Sequence, residues 1–179
     1  ANKINTEIFR LIQNRSYAAS KTLAQELGEP ELLQGYGRRN STLNAIAPTT
    51  SSSFILGQVS QSIEPIWSNC YVKDIDKIKV TIKNPFLENL LEAKSKNDKE
   101  TWHSIRDNDG SVQHLTFLSP DEKAVFKTFA EIDQYAVIDQ AATRQPFIDQ
   151  GQSLNLMINP KTPTKDVNAL YIEAWRKGI

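Results

Sequence analysis

Five consecutive hydroxyl side chains, Thr49-Thr50-Ser51-Ser52-Ser53, form a stretch whose residue types and order suggest a chemical task. They follow an apolar, strand-like run, Thr42-Leu43-Asn44-Ala45-Ile46-Ala47-Pro48, and precede Phe54-Ile55-Leu56-Gly57, where the pattern places the first buried positions of a helix. A loop between a strand and a helix N-terminus is suited to anions, because the first helical N–H groups have no intrahelical partner and the helix dipole is positive there. Each such contribution is worth roughly 0.3–2 kcal/mol, so several acting together can hold a phosphate. The same tract also reads as a solvated linker or an N-cap, and these residues alone leave both readings open.

Other reactive side chains are sparse. The chain has one cysteine, Cys70, and two histidines, His103 and His114. One thiol cannot form an intramolecular disulfide, and a free cysteine commonly packs as a small hydrophobe. Neither histidine has neighbours at metal-ligand spacing, so both read as surface or packing residues. Arg38-Arg39 would attract a phosphate but reads rather as surface or carboxylate-pairing. Asp139 and Asp149 can be nominated as a carboxylate pair, although their spacing favours solvated or capping roles.

The residues around the hydroxyl tract form an ordered series: Arg39-Asn40-Ser41-Thr42-Leu43, Ala45-Ile46-Ala47-Pro48-Thr49, Ser62-Ile63-Glu64-Pro65, Asn69-Cys70-Tyr71-Val72-Lys73-Asp74, Lys83-Asn84-Pro85-Phe86-Leu87, Arg144, and Ile148-Asp149-Gln150-Gly151-Gln152-Ser153-Leu154-Asn155. From about Ile4 to Ile179 this series resembles the large, catalytic subunit of class I ribonucleotide reductase, in the C-terminal part of its barrel domain. The resemblance implies an α/β fold, a C-terminal segment of a ten-stranded α/β barrel that is incomplete on its own. It implies that Thr49, Thr50, Ser51 and Ser52 bind the diphosphate of a ribonucleoside diphosphate through amides and hydroxyls. It places Gln152 to Ile158 on an inner barrel strand, gives Asn40 and Glu64 framework roles, and assigns no catalytic residue to this chain.

The family's reaction, radical reduction at the ribose 2′-carbon, needs a radical-forming cysteine with a nearby glutamate and a reducing cysteine pair. Cys70 falls where the family pattern has an aromatic or apolar residue, so these groups are expected from partner polypeptide. The tyrosine pair that relays the radical is expected beyond the last helix. The resemblance therefore implies two partners, the remaining part of the large subunit and a small subunit carrying the radical and its metal centre, with no cofactor bound by this chain. The alternatives are a non-catalytic assembly or nucleotide-binding module retaining the fold, and a self-sufficient phosphate-binding α/β protein.

At 179 residues the chain reads as a single domain segment, 1–179, long enough to bury roughly 70% of the surface its unfolded form exposes. Basic and acidic residues balance at 21 each, so nothing in the charge argues for nucleic acid. No apolar run approaches the roughly 18–20 residues of a membrane span, and no secretory signal pattern opens the chain. The lone cysteine fits a reducing compartment, and a soluble, cytoplasmic protein is the expectation.

Residues 3–27 read as a helix with an apolar stripe, Ile4, Ile8, Leu11, Ile12, Leu23 and Leu27, stopped by Gly28 and Pro30. Tyr71–Thr81 reads as a strand pair, Asn84-Pro85 as the start of a helix through Leu91, and 94–100 as a charged, solvated connection. A short helix begins at Trp102, a capping box at Ser119-Pro120-Asp121-Glu122 starts another containing Val125, Phe126 and Phe129, and a longer one spans about 131–142. A strand at 153–158 and a final helix capped by Thr164 and running to Lys177 complete a pattern that points to parallel strands. Gly151 adds backbone freedom at that strand's entrance, and Asn44 needs a hydrogen-bonding partner if buried. Unpaired strand edges and apolar helix faces demand a partner, so the chain expressed alone should self-associate or be partly unfolded. A monodisperse, cooperatively unfolding monomer in analytical ultracentrifugation and thermal denaturation would contradict this expectation.

Overall fold

The computed structural model describes residues 1–56, 60–75 and 78–179. Its helices are α1 (Asn2–Leu27), α2 (Ser53–Leu56), α3 (Pro85–Ala93), α4 (Lys99–Asp107), α5 (Pro120–Val125), α6 (Gln134–Arg144) and α7 (Thr164–Arg176). Strands β1 (Cys70–Ile75) and β2 (Ile78–Lys83) pair antiparallel, with Cys70 opposite Lys83 and Tyr71 opposite Ile82. The expected turn between them and the continuation of the helix past Leu56 fall on residues outside those described. Two compact units emerge, a discontinuous one (Ala1–Pro48 with Gln134–Ile179) and a continuous one (Thr49–Asp133).

In the discontinuous unit, α1 ends at Gly28, whose φ of 78° is a conformation that glycine adopts without steric cost. The face that α1 buries differs from the expected one. Ser20 and Ala24 are its buried residues, whereas Ile4, Ile8, Leu11, Ile12, Leu23 and Leu27 are 38–63% exposed. Polar groups fasten the helix instead. Asn5 Nδ2 donates to the Gln140 carbonyl of α6 at 2.8 Å, and Gln140 Nε2 donates to Asn2 Oδ1 at 2.5 Å. The Ser20 hydroxyl donates to Asn40 Oδ1 at 2.9 Å and accepts the Arg39 and Asn40 amides at 3.1 and 3.0 Å. Both arginines serve this architecture. Arg39 Nη1 donates to the Leu27 and Gly28 carbonyls at the C-terminus of α1, and the Arg38 guanidinium lies 5.6 Å from the centre of the Tyr17 ring.

The expected strands at 42–47 and 153–158 are reduced, among the described residues, to one parallel bridge between Ile46 and Gln152. Ile46 N–H donates to the Gly151 carbonyl (3.1 Å) and Ser153 N–H to the Ile46 carbonyl (2.8 Å). One step earlier a side chain interrupts the pattern. The Asp149 carboxylate accepts the amides of Leu43 (2.9 and 3.0 Å) and Asn44 (2.8 Å), replacing a backbone acceptor. Asn44 finds its partner in Ser16 of α1, donating Nδ2 to its Oγ at 3.1 Å. Gly151 is not sterically required, since a Cβ there would meet nothing within 4 Å. Gln152 is a structural linchpin: its Oε1 accepts from Nε of the buried Arg144, and its Nε2 donates to Gln145 Oε1 at 2.8 Å. Asp139 does not pair with Asp149 but accepts from Lys177 at 2.9 Å, tying α6 to the end of α7. Thr164 is the first residue of α7 rather than its cap, a position taken by Pro163.

The core of the continuous unit gathers Cys70, Leu87, Leu91, Trp102, Ile105, Val112, Leu115 and Leu118. At its edge Asn69 is fully buried and fully employed. Its Nδ2 donates to the carbonyls of Gly110 (2.9 Å) and Phe126 (2.8 Å), and its Oδ1 accepts from Asn84 Nδ2 (2.9 Å). Asn84 in turn caps α3, accepting the Phe86 amide, with Pro85 in the first turn where its missing N–H costs nothing. Gly110 is demanded by this packing: its φ is 80°, and a Cβ would lie 1.9 Å from Ser68 Oγ and 2.7 Å from Asn69 N.

Element ends differ from expectation where capping groups intervene. Asp98 accepts the Thr101 amide at 2.7 Å and starts α4 at Lys99, so the charged connection is shorter. The Ser119–Glu122 capping box forms, but α5 stops at Val125, which is 74% exposed. A second box, Thr128 with Glu131, closes a 3-10 turn at Phe129–Glu131. The long helix therefore begins at Gln134 and reaches Arg144.

Two outcomes follow from these contacts. Asn69→Ala removes three side-chain hydrogen bonds, so that the Phe126 carbonyl and the Asn84 amide group lose this partner and the Gly110 carbonyl keeps only the 3.4 Å bond from the Asn69 backbone amide, and should cost roughly 3 kcal/mol in urea denaturation. The Asp149 carboxyl is opposed by burial, but the amides of Asn44, Leu43 and Asp149 itself, with the charge of Arg38, hold it below its ordinary value. Its contribution is thus complete above the unfolded value of about 3.9 and disappears as pH falls through the lower folded value. Asp149→Asn should lower the melting temperature at neutral pH and flatten its acid dependence below about pH 4.

Candidate functional site

The hydroxyl tract opens the continuous unit. Thr49 adopts φ 43°, a left-handed conformation uncommon for a β-branched residue. Three contacts hold this region. The Thr49 carbonyl accepts the Ser53 amide at 3.0 Å, its Oγ1 accepts the Ser62 amide at 2.7 Å, and Ser53 Oγ donates to the Thr50 carbonyl at 3.2 Å. The Ser52 carbonyl accepts the Ile55 and Leu56 amides at 3.0 and 3.1 Å, closing the single turn of α2.

What the fold leaves unused is the informative part. Among the described residues, the backbone amides of Thr50, Ser51 and Ser52 donate to no protein acceptor, and their hydroxyls have no protein partner. Thr50 and Ser51 are exposed, and Ser52 is half-buried. No lysine or arginine occurs between Arg39 and Lys73 in the sequence, so the donors that the loop itself offers are neutral. Such a cluster of N–H and O–H donors suits an anion with several oxygens.

Two parts of the expectation change. Ile55 and Leu56, expected as buried helix positions, are 85% and 83% exposed. The described helix is a single turn, too short for a substantial dipole, so the case for an anion rests on the free amides and hydroxyls. Thr49 also differs from its three neighbours, because its hydroxyl is engaged with Ser62. Ser62, thirteen residues further on, is thereby part of the loop. It too has a positive φ, 52°, and its own Oγ is buried without a protein partner. Nothing in the spacing of Thr49 and Ser62 signals the contact, which depends on how the chain returns.

The remaining candidates are dispersed. Cys70 lies in the core, where burial pushes its thiol up while Lys83 and Arg106 act in the opposite direction. His114 Nε2 shares a hydrogen bond with Ser104 Oγ at 2.7 Å, and His103 is exposed on α4. Among the described residues no three His, Cys, Asp or Glu side chains converge on a metal-sized site. No helix of the described residues is long and apolar enough to cross a membrane.

Comparison with known proteins agrees with the motif series. The profile of the ribonucleotide reductase barrel domain matches residues 30–179. The chain is 39% identical over 183 aligned residues to the ribonucleoside-diphosphate reductase large subunit of Invertebrate iridescent virus 6, covering 100% of this chain and 19% of that protein. It is 41% identical over 174 residues to a putative large subunit from Frog virus 3, covering 96% of this chain and 30% of that one. The solved structure of the Actinobacillus ureae class Id ribonucleotide reductase alpha subunit superposes with a TM-score of 0.92 at 54% identity, covering 99% of this chain and 32% of that chain. The chain thus spans between about a fifth and a third of these relatives. With its motif order, its α/β elements and these likenesses in agreement, the chain belongs to the ribonucleotide reductase barrel-domain family.

Proposed function

We propose that this chain is part of a ribonucleoside-diphosphate reductase, converting ribonucleotides to deoxyribonucleotides by radical chemistry, and that its loop Thr49–Ser52 anchors the substrate diphosphate. The observation that carries the reading is the set of unengaged amides and hydroxyls at Thr50, Ser51 and Ser52. Thr49 contributes by fixing the loop through Ser62, whose amide its Oγ1 accepts, and its O–H is left as a further donor. Neutral donors suit a substrate that must enter and leave, because each hydrogen bond to a charged oxygen contributes only about 1.5–3 kcal/mol.

Replacing a ribose 2′-hydroxyl by hydrogen releases water and consumes two electrons, which a dithiol supplies on becoming a disulfide. The sequence holds one cysteine, buried in a core, so the reducing pair and the radical-forming cysteine belong to polypeptide outside these residues. The remaining part of the large subunit is the natural source, and the radical and its metal centre belong to a separate small subunit. A cytoplasmic location suits this thiol chemistry. Apolar surface supports such assembly: the stripe of α1 is exposed, as are Tyr171 (65%) and Trp175 (74%) of α7. Those two rings also line an open cavity of about 530 Å³ with Leu154, Leu156 and Ile158.

In the assembled enzyme, Ser51→Ala with Ser52→Ala should weaken diphosphate binding roughly a hundredfold, at about 1.5 kcal/mol for each lost hydrogen bond to a charged oxygen. Unchanged affinity and turnover would remove the loop assignment. Intact-mass spectrometry of the native complex tests the other half. It should find these residues either in a longer cysteine-bearing chain or in fixed ratio with one, and a functional complex with neither would overturn the proposal.

A further inference from the structure

A second concave site lies in the continuous unit, formed by β2 and α4 and independent of the hydroxyl loop. The cavity holds about 470 Å³, a volume that accommodates a small phosphorylated molecule. Lys99, His103 and Arg106 line it from α4 at spacings of four and three residues, which places them on one helical face. Lys83 lines the cavity from β2, its ammonium 4.6 Å from the centre of the Trp102 ring and 3.3 Å from Glu88.

The basic side chains are incompletely neutralised. Lys99 and His103 form no hydrogen bond or ion pair among the described residues. Arg106 is paired with Asp107, an exposed contact at 3.1 Å, which solvent screens. The carboxylate on the cavity wall, Asp98, is committed to the N-terminus of α4, where its Oδ1 accepts the Thr101 amide at 2.7 Å. Asn97 is oriented by a hydrogen bond from Trp102 Nε1 to its Oδ1 (2.7 Å), which leaves its amide nitrogen as a donor, and Thr81 adds a hydroxyl. Cys70 is also on the wall, where burial pushes its thiol up and the charges of Lys83 and Arg106 act in the opposite direction.

We propose that this groove binds a phosphate-bearing small molecule, with Lys99, His103 and Arg106 as its ligands from α4 and Lys83 as its ligand from β2. A concave site with cations on two walls surrounds a compact polyanion, and a guanidinium can bind two phosphate oxygens together. Trp102 is 4% exposed, so it shapes the wall rather than stacking on a ligand.

The test is amide hydrogen exchange on the longest native polypeptide containing these residues, with inorganic pyrophosphate as the probe. Pyrophosphate should slow exchange in the peptide spanning 96–107 at millimolar concentration or below. Lys99→Ala with Arg106→Ala, both at exposed positions, should raise the concentration for half-maximal protection at least tenfold, while Lys99→Arg retains it. Ser51→Ala with Ser52→Ala should leave this protection unchanged, which separates the groove from the hydroxyl loop. The proposal is overturned if pyrophosphate gives no protection here, if the double alanine variant is protected equally, or if only a polyglutamate peptide protects. The last result would assign the groove to an acidic protein segment.

Discussion

The continuous unit is organised around one buried amide. Asn69 joins the strand that it precedes, the carbonyl of Gly110 after α4, the carbonyl of Phe126 after α5, and the residue that caps α3. Carbonyls at helix ends and turns have no internal ladder to satisfy them, and burying one unpaired is expensive. A single asparagine offers two donors and an acceptor in one plane, so it can close several such ends at once. The neighbouring residues extend the clasp. The Ile66 carbonyl accepts the Phe129 amide at 2.8 Å, and the rings of Trp67 and Phe129 meet edge to face at 6.5 Å. Five residues, 66–70, thus bind together helices that share little regular secondary structure.

The hydroxyl loop depends on the same logic in reverse. There the fold spends one hydroxyl, that of Thr49, to hold a left-handed turn, and leaves the next three residues' donors unused. Strain of this kind persists only where surrounding contacts overdetermine it. The β2–α4 groove presents a different chemistry, with Lys83, Lys99 and Arg106 beside a packed aromatic wall. Neutral donors and clustered cations are two distinct ways to offer hydrogen bonds to an anion, and the continuous unit displays both kinds of donor.

The discontinuous unit shows how polar bonding can replace apolar packing on one face and free apolar surface on another. The α1 helix is fastened by Asn5, Ser20 and their partners, while its isoleucines and leucines face outward. Exposed apolar area of this extent is the kind of surface that interactions use, and the chain spans between about a fifth and a third of its relatives' lengths.

Local chemistry in the sequence determined a good deal. The Gly28 stop, the Ser119–Glu122 box, the Asn84-Pro85 helix start and the antiparallel pair are dictated by neighbours a few residues apart, so they were legible without coordinates. The motif order was enough to indicate the family. Contacts between distant residues were not legible. Periodicity identified the apolar stripe of α1 but not which face would be covered, because that depends on where α6 lies. An apolar run and the family resemblance suggested two strands, yet the Asp149 carboxylate accepts amides there and one bridge forms. The use of Thr49 by Ser62, and the gathering of Lys83 with Lys99, His103 and Arg106, also required the chain to return on itself. Residue type sets what a group can bond to, and only tertiary structure decides which groups are within reach.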